Sequence, residues 1–167
     1  MVVVTVHRRE SFGAPLKRIC EALRQASLSF SDLHLVVLVH PNPNIRGPIT
    51  ELLSGIPAIS LIPPLGYLEF VHLLKSAYAI LTDSGGLQEE APSLGKPVLV
   101  LRETTERPEA VACGTAKIVG TSTADIVTAL DELLANPELY DRMACIANPY
   151  GDGHAAERIV AILSGLS

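Results

Sequence analysis

The clearest indication of the fold class is the segment Ala79-Ile80-Leu81-Thr82-Asp83-Ser84-Gly85-Gly86-Leu87-Gln88-Glu89-Glu90-Ala91-Pro92-Ser93-Leu94-Gly95-Lys96-Pro97-Val98-Leu99-Val100-Leu101. Two apolar runs flank an Asp-Ser-Gly-Gly turn, a short helix-forming segment and a Gly-Lys-Pro break. This order predicts a strand, a tight turn, a helix, a second turn and a second strand. In a parallel α/β fold, such a turn presents backbone N–H groups at the positive end of a helix dipole, beside the strand ends. The stretch therefore predicts an anion-binding turn.

The same alternation of apolar strands and amphipathic helices continues on both sides of this stretch. Strands are predicted at 1–6, 33–39, 58–62, 78–82, 98–101 and 116–119, with helices between the first five strands and after the sixth. We expect a short helix from Pro48 to Leu53 and a polar loop from Arg102 to Pro108. The strands are apolar along their whole length, as expected when helices cover both faces. The predicted fold class is therefore α/β, a doubly wound, Rossmann-like parallel sheet with helices on both faces.

Composition excludes several classes of protein. The chain has 167 residues, which predicts one domain, and 48% of them are apolar although only 4% are aromatic. A net charge of −5 argues against a nucleic-acid partner. The apolar runs are too short to span a bilayer, so no membrane partner is expected. Three distant cysteines without metal-ligand spacing predict a reducing, cytoplasmic location and no bound metal.

The Ser84-Gly85-Gly86 turn is the strongest local candidate for a binding site. A phosphate needs several N–H donors that converge without side chains in the way, which glycines allow, and Ser84 adds a hydroxyl donor. The alternative is an ordinary strand-to-helix turn, in which Asp83 or Ser84 caps the helix.

Charged residues near this turn are further candidates. Glu89 and Glu90 lie on the predicted helix, where a carboxylate could accept hydrogen bonds from both ribose hydroxyls or could simply be solvated. Arg102 and Arg107 bracket the loop after the fifth strand, where an arginine could bind a diphosphate bidentately. The alternative is a surface salt bridge with carboxylates of the same region, Glu103, Glu106 or Glu109.

Two other predicted strand ends carry cationic or titratable groups. His7, Arg8 and Arg9 follow the first strand, where together they suit an anion or a general acid. His40 follows the second strand, either as a ligand contact or as a half-buried, hydrogen-bonded histidine.

A glycine-rich segment near the end of the chain matches the dinucleotide pattern G-x-G-x-x-A. It reads Gly151-Asp152-Gly153-His154-Ala155-Ala156, but no strand precedes it, so the context that this motif requires is missing. We interpret the segment as a loop that leads into the last helix, with Asp152 as the N-cap.

Five ordered motifs resemble the non-hydrolysing UDP-N-acetylglucosamine 2-epimerases, in particular their carboxyl-terminal half. They are His7-Arg8-Arg9-Glu10, His40-Pro41-Asn42-Pro43, Thr82 to Ala91, Val98 to Pro108 and Asn148-Pro149-Tyr150-Gly151-Asp152-Gly153. The resemblance covers nearly the whole chain. It implies one half of a GT-B-type fold, in which two Rossmann-like domains face each other across a cleft and the carboxyl-terminal domain binds UDP.

The resemblance also implies a role for individual residues. The Ser84-Gly85-Gly86 turn would hold the diphosphate and Glu90 the ribose, while Phe70 would lie near the uracil. Arg107 and His7 would face the phosphates, and His7 is the one candidate catalytic residue on this chain. A second-substrate site, which acts as an activator site in bacterial members, would match Arg8 and His40.

The reaction of the family interconverts UDP-N-acetylglucosamine and UDP-N-acetylmannosamine, by elimination of UDP and re-addition with the opposite configuration at C2. The resemblance implies no cofactor. The catalytic carboxylates of the family lie in an amino-terminal domain that has no counterpart here, and the chain opens at Met1 on an apolar strand. We therefore expect residues 1–167 to be a UDP-binding, carboxyl-terminal domain without activity of its own. Because the family tends to dimerise, a homodimer is a further expectation.

Two alternatives remain open at this point. The chain could be the donor-nucleotide domain of a GT-B glycosyltransferase, which shares the fold and the type of ligand. It could also be a non-catalytic binding module, which would not bind UDP saturably.

Overall fold

Residues 1–165 are described by the computed structural model and form a six-stranded sheet whose neighbouring strands are all parallel. The strands are β1 (Val2–Val6), β2 (Leu35–Val39), β3 (Ile59–Ile62), β4 (Ala79–Thr82), β5 (Val98–Val100) and β6 (Ala116–Ile118). Their order is β3-β2-β1-β4-β5-β6, so the direction of winding reverses between β1 and β4. This is the doubly wound topology, and it confirms the predicted fold class.

Helices follow the strands in chain order. They are α1 (Ala14–Ser29), α2 (Pro43–Leu53), α3 (Tyr67–Ser76), α4 (Gly85–Ser93), α5 (Pro108–Cys113), α6 (Thr123–Ala135), α7 (Pro137–Ala144) and α8 (Ala155–Leu163). Helices α1, α2, α6 and α7 cover one face of the sheet, and α3, α4 and α5 cover the other. A 3-10 turn, Arg9–Ser11, connects β1 to α1.

Successive side chains of the central strands enter opposite cores, which explains why these strands are apolar throughout. In β1, Val2 and Val4 pack in one core, while Val3 packs in the other. In β4, Leu81 packs in the same core as Val2 and Val4, and Ile80 packs in the same core as Val3. All five of these side chains are fully buried. A parallel sheet with both faces covered has no solvent face that could carry polar residues.

Helix α2 begins five residues earlier than the apolar spacing predicted. We expected Pro48 at its start, but the helix begins at Pro43 and contains Pro48. The side chain of Asn42 accepts a hydrogen bond from the Asn44 N–H at 2.9 Å and so caps the first turn. A proline is tolerated at the first helical position, because an N–H group there would have no partner within the helix.

Two further expectations about helix starts were incomplete or wrong. The loop from Arg102 ends at Pro108, as predicted, but Pro108 also begins α5, a helix that the sequence pattern did not indicate. The N-cap of α8 is His154 and not Asp152. The Asp152 carboxylate instead accepts from the His154 N–H and binds the Arg158 guanidinium, which closes a turn before the helix.

Within residues 1–165, no helix has the length and apolar character needed to cross a membrane. The three cysteines carry free thiols. Burial raises the pKa of the Cys20 thiol to about 12, so this side chain packs in the core as a neutral group.

Candidate anion-binding site at the sheet switch point

Asp83 ties the end of β4 to the end of β1. Its fully buried carboxylate accepts hydrogen bonds from the backbone N–H of His7 and of Arg8, the latter at 2.8 Å, and from the Ser11 hydroxyl at 2.8 Å. Nδ1 of His7 lies 3.1 Å from the same carboxylate. Burial is the largest single influence and acts to raise the pKa of Asp83, but these hydrogen bonds together outweigh it and the pKa is lowered. Asp83 is therefore an ionised anchor that sets the backbone and the ring of His7.

The turn after Asp83 leaves the first N–H groups of α4 without a side-chain cap. The Ser84 N–H donates to the Thr82 hydroxyl at 2.9 Å, and within residues 1–165 no side chain caps the helix at Ser84. Gly85 and Gly86 then form the first helical positions. Uncapped N–H groups at the positive end of a helix dipole are a site for an anion.

A guanidinium group lies at the same helix end. Nη2 of Arg8 is 3.2 Å from the point that a Cβ atom on Gly85 would occupy, so a side chain at this position would crowd the cation. Arg8 also forms an ion pair of 2.8 Å with Glu106. The helix dipole and the arginine both favour the binding of a negative charge at this point. The Glu106 carboxylate now neutralises part of the positive charge of Arg8.

The loop between β5 and α5 is built around a buried arginine. Arg102 is only 8% exposed and binds the carboxylates of Glu10 and Glu106. Burial is the largest single influence and acts to lower the pKa of Arg102. The hydrogen bonds and the charges of these two carboxylates together outweigh it, so the pKa is raised. A backbone hydrogen bond within Glu106, followed by the hydrogen bond from Arg102, lowers the pKa of Glu106 to about 2. Arg102 thus has a structural ion-pair role, close to the alternative that the sequence left open.

Arg107 lies beside the second turn of α4. Its guanidinium binds the Glu89 carboxylate and donates to the backbone carbonyl of Glu106 at 3.0 Å. The hydrogen bond with Glu89 raises the pKa of Arg107. The ion-pair partner of Arg107 is therefore Glu89, on a neighbouring helix, and not a carboxylate of its own loop. Glu90 takes no part in this pair: it is exposed, and its carboxylate has no hydrogen-bond or ion-pair partner within residues 1–165.

A cavity of about 200 Å³ lies at the carboxyl ends of β1 and β2, between α3 and α4. Its lining consists of Thr5, Val6, His7, Leu38, His40, Pro64, Phe70, Ser84 and Leu87. The rings of His7 and His40 stack with their centroids 6.0 Å apart. The structure therefore brings together four predicted site residues from four parts of the chain, whereas Arg107 and Glu90 do not line this cavity. Their assigned roles, like those of the other site residues, stay predictions.

Three residues of the site received no binding role from sequence reasoning. Asp83 entered only as a helix-capping candidate, and Gln88 and Thr105 appeared only as letters within motifs. Gln88 is fully buried on a helix, and a buried amide must find hydrogen-bond partners, which gives it a structural task. Residues 1–165 contain no cluster of three His, Cys, Asp or Glu side chains that could hold a metal ion.

Comparison with known proteins gives a family for this fold and site. A sequence model described as UDP-N-acetylglucosamine 2-epimerase matches residues 1–164. The chain belongs to the UDP-N-acetylglucosamine 2-epimerase family. It is 53% identical over 163 residues to the UDP-N-acetylglucosamine 2-epimerase of Yersinia pestis, an alignment that covers 98% of this chain and 43% of that protein.

Solved structures agree with the fold. The crystal structure of the Neisseria meningitidis UDP-GlcNAc 2-epimerase bound to UDP-GlcNAc superposes with a TM-score of 0.94 at 49% identity, covering 98% of this chain and 44% of that one. The Escherichia coli heptosyltransferase WaaC with ADP gives a TM-score of 0.60 at 12% identity over 84% of this chain and 45% of that one. The second likeness shows the fold alone. The chain spans less than half of the length of the epimerases that it matches.

Proposed function

We propose that this chain is the carboxyl-terminal, UDP-binding domain of a non-hydrolysing UDP-N-acetylglucosamine 2-epimerase. The observation that carries the proposal is the uncapped amino terminus of α4 with the Arg8 guanidinium beside Gly85, at the switch point of the sheet. Ligands of doubly wound folds bind at that point. Binding of UDP-GlcNAc by the meningococcal relative, which matches nearly the whole chain, supports this choice of ligand.

The site offers separate groups for the diphosphate, the ribose and the base of a nucleoside diphosphate. The diphosphate would accept hydrogen bonds from the Ser84-Gly85-Gly86 turn. It would also displace carboxylates from Arg8 and Arg107, which now bind Glu106 and Glu89. A phosphate oxygen is at least as good a partner for a guanidinium group as a carboxylate oxygen. The exposed carboxylate of Glu90 is free to accept from the ribose hydroxyls, and the ring of Phe70 in the cavity is the candidate contact for the uracil.

The proposed role in the reaction is to hold the leaving group. When the bond between C1 of the sugar and the phosphate oxygen breaks, negative charge develops on the departing diphosphate, and the N–H donors of α4 with the Arg8 guanidinium stabilise it. Asp83 accepts from the Nδ1 side of the His7 ring, which leaves Nε2 as the atom that can exchange a proton with a phosphate oxygen. Loss of the C2 proton needs a base, and we assign that base to the part of the protein outside this chain.

Further parts of the proposal concern partners and location. The predicted second-substrate site at Arg8 and His40 remains part of it, although the place of Arg8 at Gly85 also fits the first substrate. We expect the complete protein to dimerise and to act in the cytoplasm, in the synthesis of a cell-surface polysaccharide. Free thiols at Cys20, Cys113 and Cys145 fit a reducing compartment.

Calorimetric titration of the chain with UDP tests the binding function. We expect saturable binding, and Arg107→Ala should weaken it by about 5- to 100-fold, because a charged hydrogen bond to phosphate is lost. Arg24→Ala is the matched control, since Arg24 is an exposed arginine in an ion pair with Glu21, on a helix that covers the opposite face of the sheet from α4. Absence of saturation by UDP would overturn the proposal in favour of a non-catalytic interaction module.

Product analysis tests the reaction. The chain alone should not convert UDP-N-acetylglucosamine, and adding the remainder of the protein should give UDP-N-acetylmannosamine. Transfer of the sugar to an acceptor without any N-acetylmannosamine product would favour the glycosyltransferase alternative. Turnover by residues 1–167 alone would place the base on this chain and would contradict the assignment above.

A further inference from the structure

A chain of hydrogen bonds runs from the backbone of Arg107 to the phosphate-binding turn. The Arg107 N–H donates to the Thr105 hydroxyl at 3.0 Å, and that hydroxyl donates to Oε1 of Gln88 at 2.5 Å. Nε2 of Gln88 then donates to the Ser84 carbonyl at 3.1 Å. The three bonds connect two segments that are separated along the chain by α4 and β5.

The direction of each bond in this chain follows from the groups at its two ends, because a backbone N–H can only donate and a backbone carbonyl can only accept. The Ser84 carbonyl and the Arg107 N–H fix the two ends as acceptor and donor. If the Gln88 amide were turned over, Oε1 would face the Ser84 carbonyl, and the Thr105 hydroxyl would lose its acceptor. Gln88 is fully buried, so neither loss could be replaced by water. Bonds aligned in one direction also polarise and strengthen one another.

A second set of contacts holds the same region from the other side. The Tyr150 hydroxyl accepts from the Ala110 N–H at 3.2 Å, in the first turn of α5, and Asn148 donates to the Glu89 carbonyl at 3.0 Å. Helix α5 begins directly after Arg107. The backbone of Arg107 is therefore tied to α4 from the loop side, and the helix that follows it is tied to the segment before α8.

We propose that Gln88 and Thr105 are positioning residues, which hold the backbone of Arg107 in register with the Ser84-Gly85-Gly86 turn so that its guanidinium reaches a diphosphate bound there. Neither side chain contacts the ligand in this proposal. Both residues act through Arg107. This positioning role rests on the proposed function, in which Arg107 binds the phosphates of a uridine nucleotide.

Removal of the Thr105 hydroxyl tests the proposal. Thr105→Val keeps the shape of the side chain and breaks two of the three bonds, and we expect it to weaken UDP binding by about two- to tenfold. Uridine, which lacks phosphates, should bind with unchanged affinity. Thr105→Ser keeps the hydroxyl and should restore UDP binding. The matched control is Thr104→Val, because Thr104 is an exposed neighbour that has no side-chain hydrogen bond within the described residues.

A double-mutant cycle with Arg107→Ala separates positioning from general structural damage. In the Arg107→Ala background, Thr105→Val should have no further effect on UDP affinity, because the group it positions is already absent. Amide hydrogen exchange at Arg107 should also be faster in Thr105→Val than in the wild type. Thr105→Ala gives a second route to the same loss if valine impairs folding.

Some results would contradict the positioning role alone, and others would also contradict the proposed function. Wild-type affinity for UDP in Thr105→Val, an equal loss for UDP and uridine, or a full loss that persists without Arg107 would each overturn the positioning role while the proposed function stands. Failure of the wild-type chain to bind UDP would overturn the proposed function and this inference with it. If the wild-type chain binds UDP and Arg107→Ala binds it equally well, Arg107 is not part of the site, and this inference fails while the proposed function stands.

Discussion

Asp83 is fully buried and ionised, a combination that is stable only because its oxygens have several donors. Two of these donors are consecutive backbone N–H groups, at His7 and Arg8, and a third is the Ser11 hydroxyl. At the scale of the single residue, this carboxylate replaces the hydrogen bonds that β1 would otherwise lack where it leaves the sheet. It also fixes which nitrogen of His7 faces the protein.

The Asp83→Asn substitution should destabilise the chain by about 2–4 kcal/mol at pH 7, because the amide NH2 group would face N–H donors. The folded-state pKa of Asp83 is lowered, so between the folded and unfolded values the folded state binds fewer protons. The stabilisation is therefore complete above the unfolded pKa of about 4 and is lost as pH falls through the folded one. Urea unfolding of both proteins at pH 7 and at lower pH measures this.

Asp131→Asn serves as the control, because Asp131 is exposed on α6 and has no side-chain partner among the described residues. Its stability should show the same acid dependence as the wild type. If the stability of Asp83→Asn falls with decreasing pH by as much as that of the wild type, the ionised Asp83 carboxylate does not stabilise the fold.

The first turn of α4 is the element on which the proposed binding site depends. Its N–H groups have no side-chain cap within residues 1–165, and the Arg8 guanidinium lies so close to Gly85 that a side chain there would crowd it. The same turn packs Leu87 into the core, so the helix cannot shift to make room. Rigid packing of the helix and free donors at its end are together what an anion site requires.

Gly85→Ala should weaken UDP binding by about three- to tenfold, because the new Cβ would lie 3.2 Å from Nη2 of Arg8 and displace it. The end of an arginine side chain can move, so the free energy of unfolding should change by less than about 1 kcal/mol. Titration with UDP and urea unfolding measure the two quantities separately.

Gly47→Ala is the control for this substitution, since Gly47 lies on the exposed side of α2 with open space around its Cβ position. It should leave UDP affinity unchanged. If Gly85→Ala binds UDP as tightly as the wild type, the position of Arg8 does not contribute to the site.

On the scale of the whole molecule, the two cores on either side of the sheet contain most of the buried apolar side chains, and α8 contributes none. Apolar side chains of α8 are largely exposed, and Leu163 reaches 82%. Leu130 on α6 is fully buried in the larger core. The stability of the described fold should therefore depend on the layers around the sheet.

We expect Leu130→Ala to lower the free energy of unfolding by about 2–5 kcal/mol, because it leaves a cavity in the core. Leu163→Ala should lower it by less than about 0.5 kcal/mol, since little surface is buried there. Chemical denaturation of both variants gives the comparison. A large loss in Leu163→Ala would show that α8 packs against the rest of the chain in solution.

The amino-acid sequence was sufficient to predict the layered fold, most strand and helix positions, and the glycine turn after β4. These features depend on the spacing of neighbouring side chains, which is local information. Sequence reasoning failed at the starts of α2 and α5, where Pro43, capped by Asn42, and Pro108 begin helical turns that apolar spacing does not mark.

Which charges of the site are neutralised, and by which groups, depends on how distant segments pack together. Arg102 binds Glu10, which is 92 positions away in the sequence. Arg107 and Glu89 are 18 positions apart, and Asp83 and His7 are 76 positions apart. Such pairs form because parallel strands bring their carboxyl ends to one edge of the sheet, and the distance along the chain does not indicate which ends meet. The sequence therefore indicated an anion-binding turn, and the packing of strand ends supplied its anchor, its cation and the hydrogen bonds that hold Arg107.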